Sequence, residues 1–186
     1  AQMLEYSAVP TSASAQTDIL MGFYKGSGEY DSTLKKGGIA KITFYHPLTA
    51  IRFKLGDFKE SDSSPISTIV IKKITIKGVH ANGTLTMTAA ANTSGIFSWA
   101  VNDEVTDVTL GDGTSGLSVD SSTEIIGGED GAFIIIPQSL SAYPVSFLVD
   151  AYLGDSAEYA PLIATISSGA WEAGKTYTYT LNHTKE

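Results

Sequence analysis

The sequence predicts an all-β fold, a two-layer and mostly antiparallel β-sandwich, from three observations. Apolar residues recur with a period of two: Thr176 to Leu181 reads TYTYTL, which places Tyr177, Tyr179 and Leu181 on one face. Glycine-rich stretches, GDGTSG, IIGGEDG and SSGAWEAG, punctuate the chain as loops. No segment carries a sustained apolar stripe at helical spacing. Together they give about ten short strands joined by turns, the pattern of a sandwich.

Taken in order, each strand has its own signature. In ITFYH the apolar side chains Ile42 and Phe44 hold even positions, whereas in IRFKL they are Ile51, Phe53 and Leu55, all odd. A strand with one buried face cannot change parity unless it bulges, bends or crosses to another sheet. Pro47, without an N–H for a ladder, marks the break. His46 and Pro47 are therefore read as the structural corner of a folded strand, with His46 partly buried and locally hydrogen-bonded. IVIKKITIKG then alternates through Ile69 and Ile71 on one parity and Val70, Ile74 and Ile76 on the other. Asn82-Gly83, between ITIKGVHA and TLTMT, predicts a hairpin, since both residues accept positive φ. FIIIP and VSFLVDAYL are the apolar runs expected of central strands buried on both faces. TYTYTL closes the sheet.

Composition bounds the function. At 186 residues and 42% hydrophobic, the chain can bury a core without covalent staples, as one domain or two small ones. It has no cysteine, which removes disulfides, thiol nucleophiles and cysteine metal sites. No run is long enough to span a bilayer as a helix, and AQMLEYSAVP lacks the basic-then-apolar order of a signal peptide. The chain is thus expected to be either cytosolic or an already trimmed, mature form. The net charge of −8 opposes nucleic acid, whose binding needs clustered Lys and Arg. Residues 1–100 carry +3 and residues 101–186 carry −11. This asymmetry serves solubility, and it could also steer a head-to-tail encounter between copies.

Catalytic patterns do not assemble. Gly111-x-Gly113-x-x-Gly116 fits a dinucleotide fingerprint only as bare spacing; LSVDSST follows where a helix is required, so the glycines are read as a loop. There is no Gly-x-Ser-x-Gly elbow. Asp103, Glu104 and Asp107, and Glu129 with Asp130, lack calcium-loop spacing and are read as solvated charges. No catalytic, cofactor or metal residues are assigned. The aromatics offer one binding candidate. Trp99 and Trp171 are candidate glycan contacts, because exposed aromatic faces suit the C–H face of a sugar; the competing reading has them plug the rim of the core.

ITFYHPLTAIRFKL, preceded by DILMGFYKG, resembles the segment of fimbrillin-like proteins in which one strand leads into a Phe-x-His-x-Leu-x-x-Ile-x-Phe strand. FIIIPQSL looks like their Pro-Gln segment, and WEAGKTYTYTLN is similar to their Trp-x-x-Gly-x-x-Tyr-x-Tyr close, all in the family's order across roughly residues 18–182. The resemblance, to type V pilin-related surface proteins of Bacteroides-type bacteria, implies a transthyretin-like sandwich, export as a lipoprotein and assembly by strand exchange. The family's lipid-carrying cysteine and early N-terminal domain are absent from this sequence. Residues 1–37 are therefore expected to be an N-terminal arm or remnant of a preceding pilin domain, with residues 38–186 the β-sandwich domain. Five residues follow Leu181, fewer than a stalk subunit's donor strand needs. The only arginine, Arg52, sits inside a strand, so any arginine-specific maturation cut falls upstream of Ala1.

The expected function is a non-enzymatic fimbrial subunit at the cell surface or outer membrane, accessory, anchor or tip rather than stalk. Its partners would be other pilin subunits joined by strand exchange, and host or bacterial glycans or surface proteins. No nucleic acid is expected, and membrane contact would come only through a lipid anchor not present in this chain. The alternative is a carbohydrate-binding or other adhesive module with no pilus role.

Overall fold

The computed structural model describes residues 2–23, 42–88, 97–154 and 159–184, and the boundary expected between residues 37 and 38 lies outside them. The described elements are strands, apart from two short 3-10 turns at Ala13–Ala15 and Gly128–Asp130. All pairings between strands are antiparallel except one.

Two sheets face each other. The first joins β5 (Ile69–His80), β8 (Val105–Leu110), β13 (Val145–Leu153) and β14 (Tyr159–Ile166) in the order β14-β13-β5-β8. The second is built on β4 (Thr49–Lys59). On one side β4 pairs with β11 (Ala132–Ile135) and with β10 (Ile125–Ile126), which carries β9 (Val119–Asp120). On the other it pairs in parallel with the closing strand β16 (Thr176–Thr184). The inward residues of β4, Ile51 and Phe53, are completely buried. Phe53 meets Phe147 of the opposite sheet edge-to-face at 4.9 Å, and Tyr179 of β16 meets the same ring at 4.9 Å. The period-two pattern therefore becomes one shared core between two sheets.

A third sheet joins β1 (Gln2–Tyr6), β6 (Gly83–Met87) and β7 (Phe97–Val101) in the order β1-β6-β7. Two small ribbons complete the fold: β2 (Met21–Phe23) with β3 (Thr43–Tyr45), and β12 (Gln138–Ser139) with β15 (Ala170–Trp171).

The segment after β1 seals one flank of the sandwich. Val9 donates to the Ala81 carbonyl at 2.7 Å, and Val9 and Ala13 lie in the core. The Thr11 carbonyl accepts from Thr109 N–H on the outer edge of β8 at 2.7 Å. Gln16 then reaches the other sheet: its Oε1 accepts from Ile134 N–H of β11 at 2.6 Å, while its Nε2 donates to the Pro10 carbonyl at 3.0 Å. A backbone acceptor and a side-chain amide thus satisfy donors that the edges would otherwise leave open.

Three local expectations change. Asn82-Gly83 is not a hairpin turn: β5 pairs with β13 and β8, β6 pairs with β1 and β7, and the chain crosses between sheets at Ala81-Asn82. Both edges of β5 are taken, so β6 has no place beside it. FIIIP does not form a central strand among the described residues, where β11 pairs with β4 alone, although Phe133, Ile135 and Ile136 are buried. His46 is not partly buried or locally bonded. Its side chain is 58% exposed and its Nδ1 is bonded to the carboxylate of Asp18, which the β2–β3 pairing brings across from the facing arm. Pro47 and Leu48 take the buried positions at the corner. There β3 ends at Tyr45 and β4 begins at Thr49, in a different sheet.

Candidate functional site

Three stretches singled out separately in the sequence meet at one groove. It encloses about 930 Å³ and is lined by Phe44, Tyr45 and His46 at the corner, by Pro137 to Ser139, and by Ala170 to Lys175, with Phe97 and Trp99 of β7 opposite. Local chemistry explains the convergence. Trp171 anchors its stretch in the core, 2% exposed, stacked on Phe147 at 6.4 Å and donating from Nε1 to the Tyr179 hydroxyl at 2.9 Å. The following turn is then pinned to the corner: Gly174 N–H donates to the Leu48 carbonyl at 2.8 Å, and Thr49 Oγ1 donates to the Lys175 carbonyl at 3.0 Å. Gly174 has φ +70°, and a Cβ there would press to 3.3 Å on the His46 carbonyl, so both conformation and space favour glycine.

The far wall is aromatic. Trp99, half-buried, donates from Nε1 to the Pro47 carbonyl at 2.8 Å and meets Tyr6 edge-on at 6.2 Å. Phe97 packs edge-to-face on Tyr45 at 5.7 Å. Phe44 is 61% exposed at the mouth. It lies on the same ribbon face as Ile42, 52% exposed, over Gly22. Of the two candidate glycan contacts, Trp99 borders the groove with part of its ring accessible, whereas the ring of Trp171 is buried against Phe147 and offers no free face. Phe44 and Phe97 are not singled out as binding residues by sequence; the signal for Phe44 is an apolar even position on a strand whose partner strand presents Gly22, and Phe97, opposite Met87, has no comparable local signal.

The groove's charges are engaged. Lys175 Nζ lies 2.8 Å from Glu172 Oε2, and that partner raises the lysine's pKa. His46 is bonded to Asp18. The acidic cluster at Asp103, Glu104 and Asp107 has structural partners too: Asn82 Nδ2 donates to Glu104 at 2.9 Å, Tyr143 donates to Asp103 at 3.1 Å, and Asp107 pairs with Lys77 at 3.6 Å. Gly111, Gly113 and Gly116 lie in the loop between β8 and β9, where Gly111 and Gly113 have φ near +80°. Among the described residues, no group of three or more His, Asp or Glu could hold a metal ion.

No curated protein matches the chain. Among solved structures, it is similar to a Bacteroides fragilis NCTC 9343 protein provisionally assigned to cell adhesion. The TM-score is 0.50 and the identity 12%, over 74% of this chain and 41% of that one. A Bacteroides uniformis ATCC 8492 protein with the same assignment gives a TM-score of 0.38 and 18% identity, over 76% of this chain and 48% of that one. The chain therefore spans less than half the length of either structure. Residues 1–186, the whole sequence, match the fimbrillin-like family, and the chain belongs to it.

Proposed function

We propose that this chain is a non-enzymatic subunit of a cell-surface fimbrium at the outer membrane, assembled with other subunits by β-strand addition. The observation that carries the reading is the whole-chain match to the fimbrillin-like family. The edges of the sandwich support it. Among the described residues, β14 pairs only with β13 and β16 only with β4, so both outer edges keep backbone donors and acceptors for an incoming strand. Ile163 on β14 is 71% exposed beside one of these edges.

An accessory, anchor or tip position fits better than a stalk position. The closing strand β16 is occupied within its own sheet: it is in parallel register with β4 from Thr176 opposite Ala50 to Thr184 opposite Lys59. Its Tyr177, Tyr179 and Leu181 pack on the core, so this strand is an internal element and not a free donor.

The test uses synthetic peptides carrying the terminal strands of fimbrillin subunits from the same cell. A ligand that binds only the folded state raises Tm with concentration. The expected result is a saturable rise with at least one donor peptide and none with a scrambled control. No rise with any peptide would contradict strand addition. The alternative, a carbohydrate-binding module with no role in a fimbrium, is favoured by one observation, the aromatic groove.

A further inference from the structure

We propose that the groove between the His46 corner and β7 is a binding site for a neutral oligosaccharide, read through a vicinal diol by Glu172 and Lys175 and by ring contact with Phe44, Phe97 and Trp99. The inference goes beyond strand addition and does not depend on it, so the two can fail separately.

The ligand class follows from the lining. Glu172 and Lys175 sit 2.8 Å apart, and their bond uses one of three ammonium donors and one of the carboxylate lone pairs. What remains is an acceptor and a donor side by side on exposed side chains. Two adjacent hydroxyls, each able to give and to take a hydrogen bond, satisfy both at once. An anion would satisfy Lys175 and be repelled by Glu172; a cation meets the reverse. The other group on the lining able to carry charge near neutral pH, His46, is already bonded to Asp18. The groove thus offers no single-sign field, which disfavours a charged ligand and leaves a hydroxyl-rich neutral one.

The aromatic side supplies the other half of the recognition. Phe44, 61% exposed, stands at the mouth with Phe97 and Trp99 on the wall, offering apolar surface to sugar C–H groups. The volume of about 930 Å³ lies toward the upper end of small-ligand sites. The polar arm is set in advance of binding. Besides the Gly174 and Thr49 bonds, Glu172 N–H is held by the Tyr177 hydroxyl at 3.1 Å and Ala50 N–H by the Lys175 carbonyl at 3.0 Å. Little ordering therefore remains to oppose association.

The experiment is an array of neutral and acidic oligosaccharides probed with the full chain, followed by calorimetric titration of the best neutral hit. The wild-type chain should bind at least one neutral glycan saturably, with an affinity indifferent to salt. Phe44→Ala, at an exposed site where folding is little affected, should weaken binding at least tenfold. Glu172→Ala with Lys175→Ala should weaken it by a similar factor. Val105→Ala, at an exposed site outside the groove, should leave it unchanged. The proposal is overturned if no glycan on the array binds, if binding is confined to acidic glycans, or if neutral binding survives both groove variants. In the last case adhesion would stand and the site would lie elsewhere. A protein partner seated on Leu20, Ile42 and Phe44 would give the first of these outcomes.

Discussion

The two flanks of the sandwich are built differently. On one, the chain itself covers the sheet edges: Thr11 caps β8, Gln16 caps β11, and Val9 and Ala13 fill the space between. On the other, β14 and β16 end their sheets with no described strand beyond them. β16 is held by its parallel ladder with β4 and, from within, by the Trp171–Tyr179 hydrogen bond and the packing of Tyr179 on Phe53 and Phe147. A sheet edge can be closed by covering it or left open for pairing, and among the described residues one flank shows the first and the other the second. Under the proposed strand addition, the uncovered flank is where an incoming strand would pair without disturbing the fold.

The largest effect should come from the open flank's internal anchor. Trp171→Ala removes a ring 2% exposed and the donor to Tyr179. It should cost about 3–5 kcal/mol in denaturant unfolding and loosen β16 ahead of the rest. On the sealed flank, Gln16→Ala strips the acceptor from Ile134 N–H and should cost about 1–3 kcal/mol, because that edge donor loses its partner.

Acid should sharpen the contrast further. His80 is 1% exposed, its Nδ1 has no partner among the described residues, and it adjoins Ala81, where Val9 docks. Burial pushes its pKa below the usual 6.5, against the opposing pull of the Asn102 carbonyl and the Asp103 charge. The folded chain therefore holds this imidazole neutral, and the unfolded chain takes up the proton first. The contribution is complete above 6.5 and is lost progressively as pH falls from there toward the lowered folded value. Chemical denaturation across that range should show the loss in the parent chain, and His80→Gln should flatten it.

The smallest stability effect belongs to the open edge. Ile163→Lys, at a site 71% exposed, should change stability by no more than about 0.5 kcal/mol. The same charge should suppress the peptide-induced rise in Tm if strands add along β14. A change in Tm response without a change in stability would separate assembly from folding.

Much of this architecture was legible in the residues. The alternation in TYTYTL gives the buried face of β16, and the parity switch around Pro47 gives the passage from one sheet to another. Partners were harder. That β16 runs parallel to β4, the first strand of its sheet, depends on a contact across more than a hundred residues, which local period cannot report. Asn82-Gly83 misled for the same reason: the dipeptide permits a tight turn, but pairing was decided by strands already beside β5. The groove was half-visible. Trp99 and Trp171 were noticed as aromatic, yet only tertiary packing separates a ring that borders the groove from one sunk beneath it. The Glu172–Lys175 pair, two charges in a glycine-bearing loop, gained meaning only once the corner at His46 stood beside it.

Native-state amide hydrogen exchange of the isolated chain tests the difference between the flanks most directly. Thr109 and Ile134 N–H, capped by Thr11 and Gln16, should be protected at close to the level of the central strands. The outward-facing amides of β14 and β16 should exchange orders of magnitude faster. Equal protection on both flanks, or free exchange at Thr109 and Ile134, would contradict a sandwich sealed on one side and open on the other.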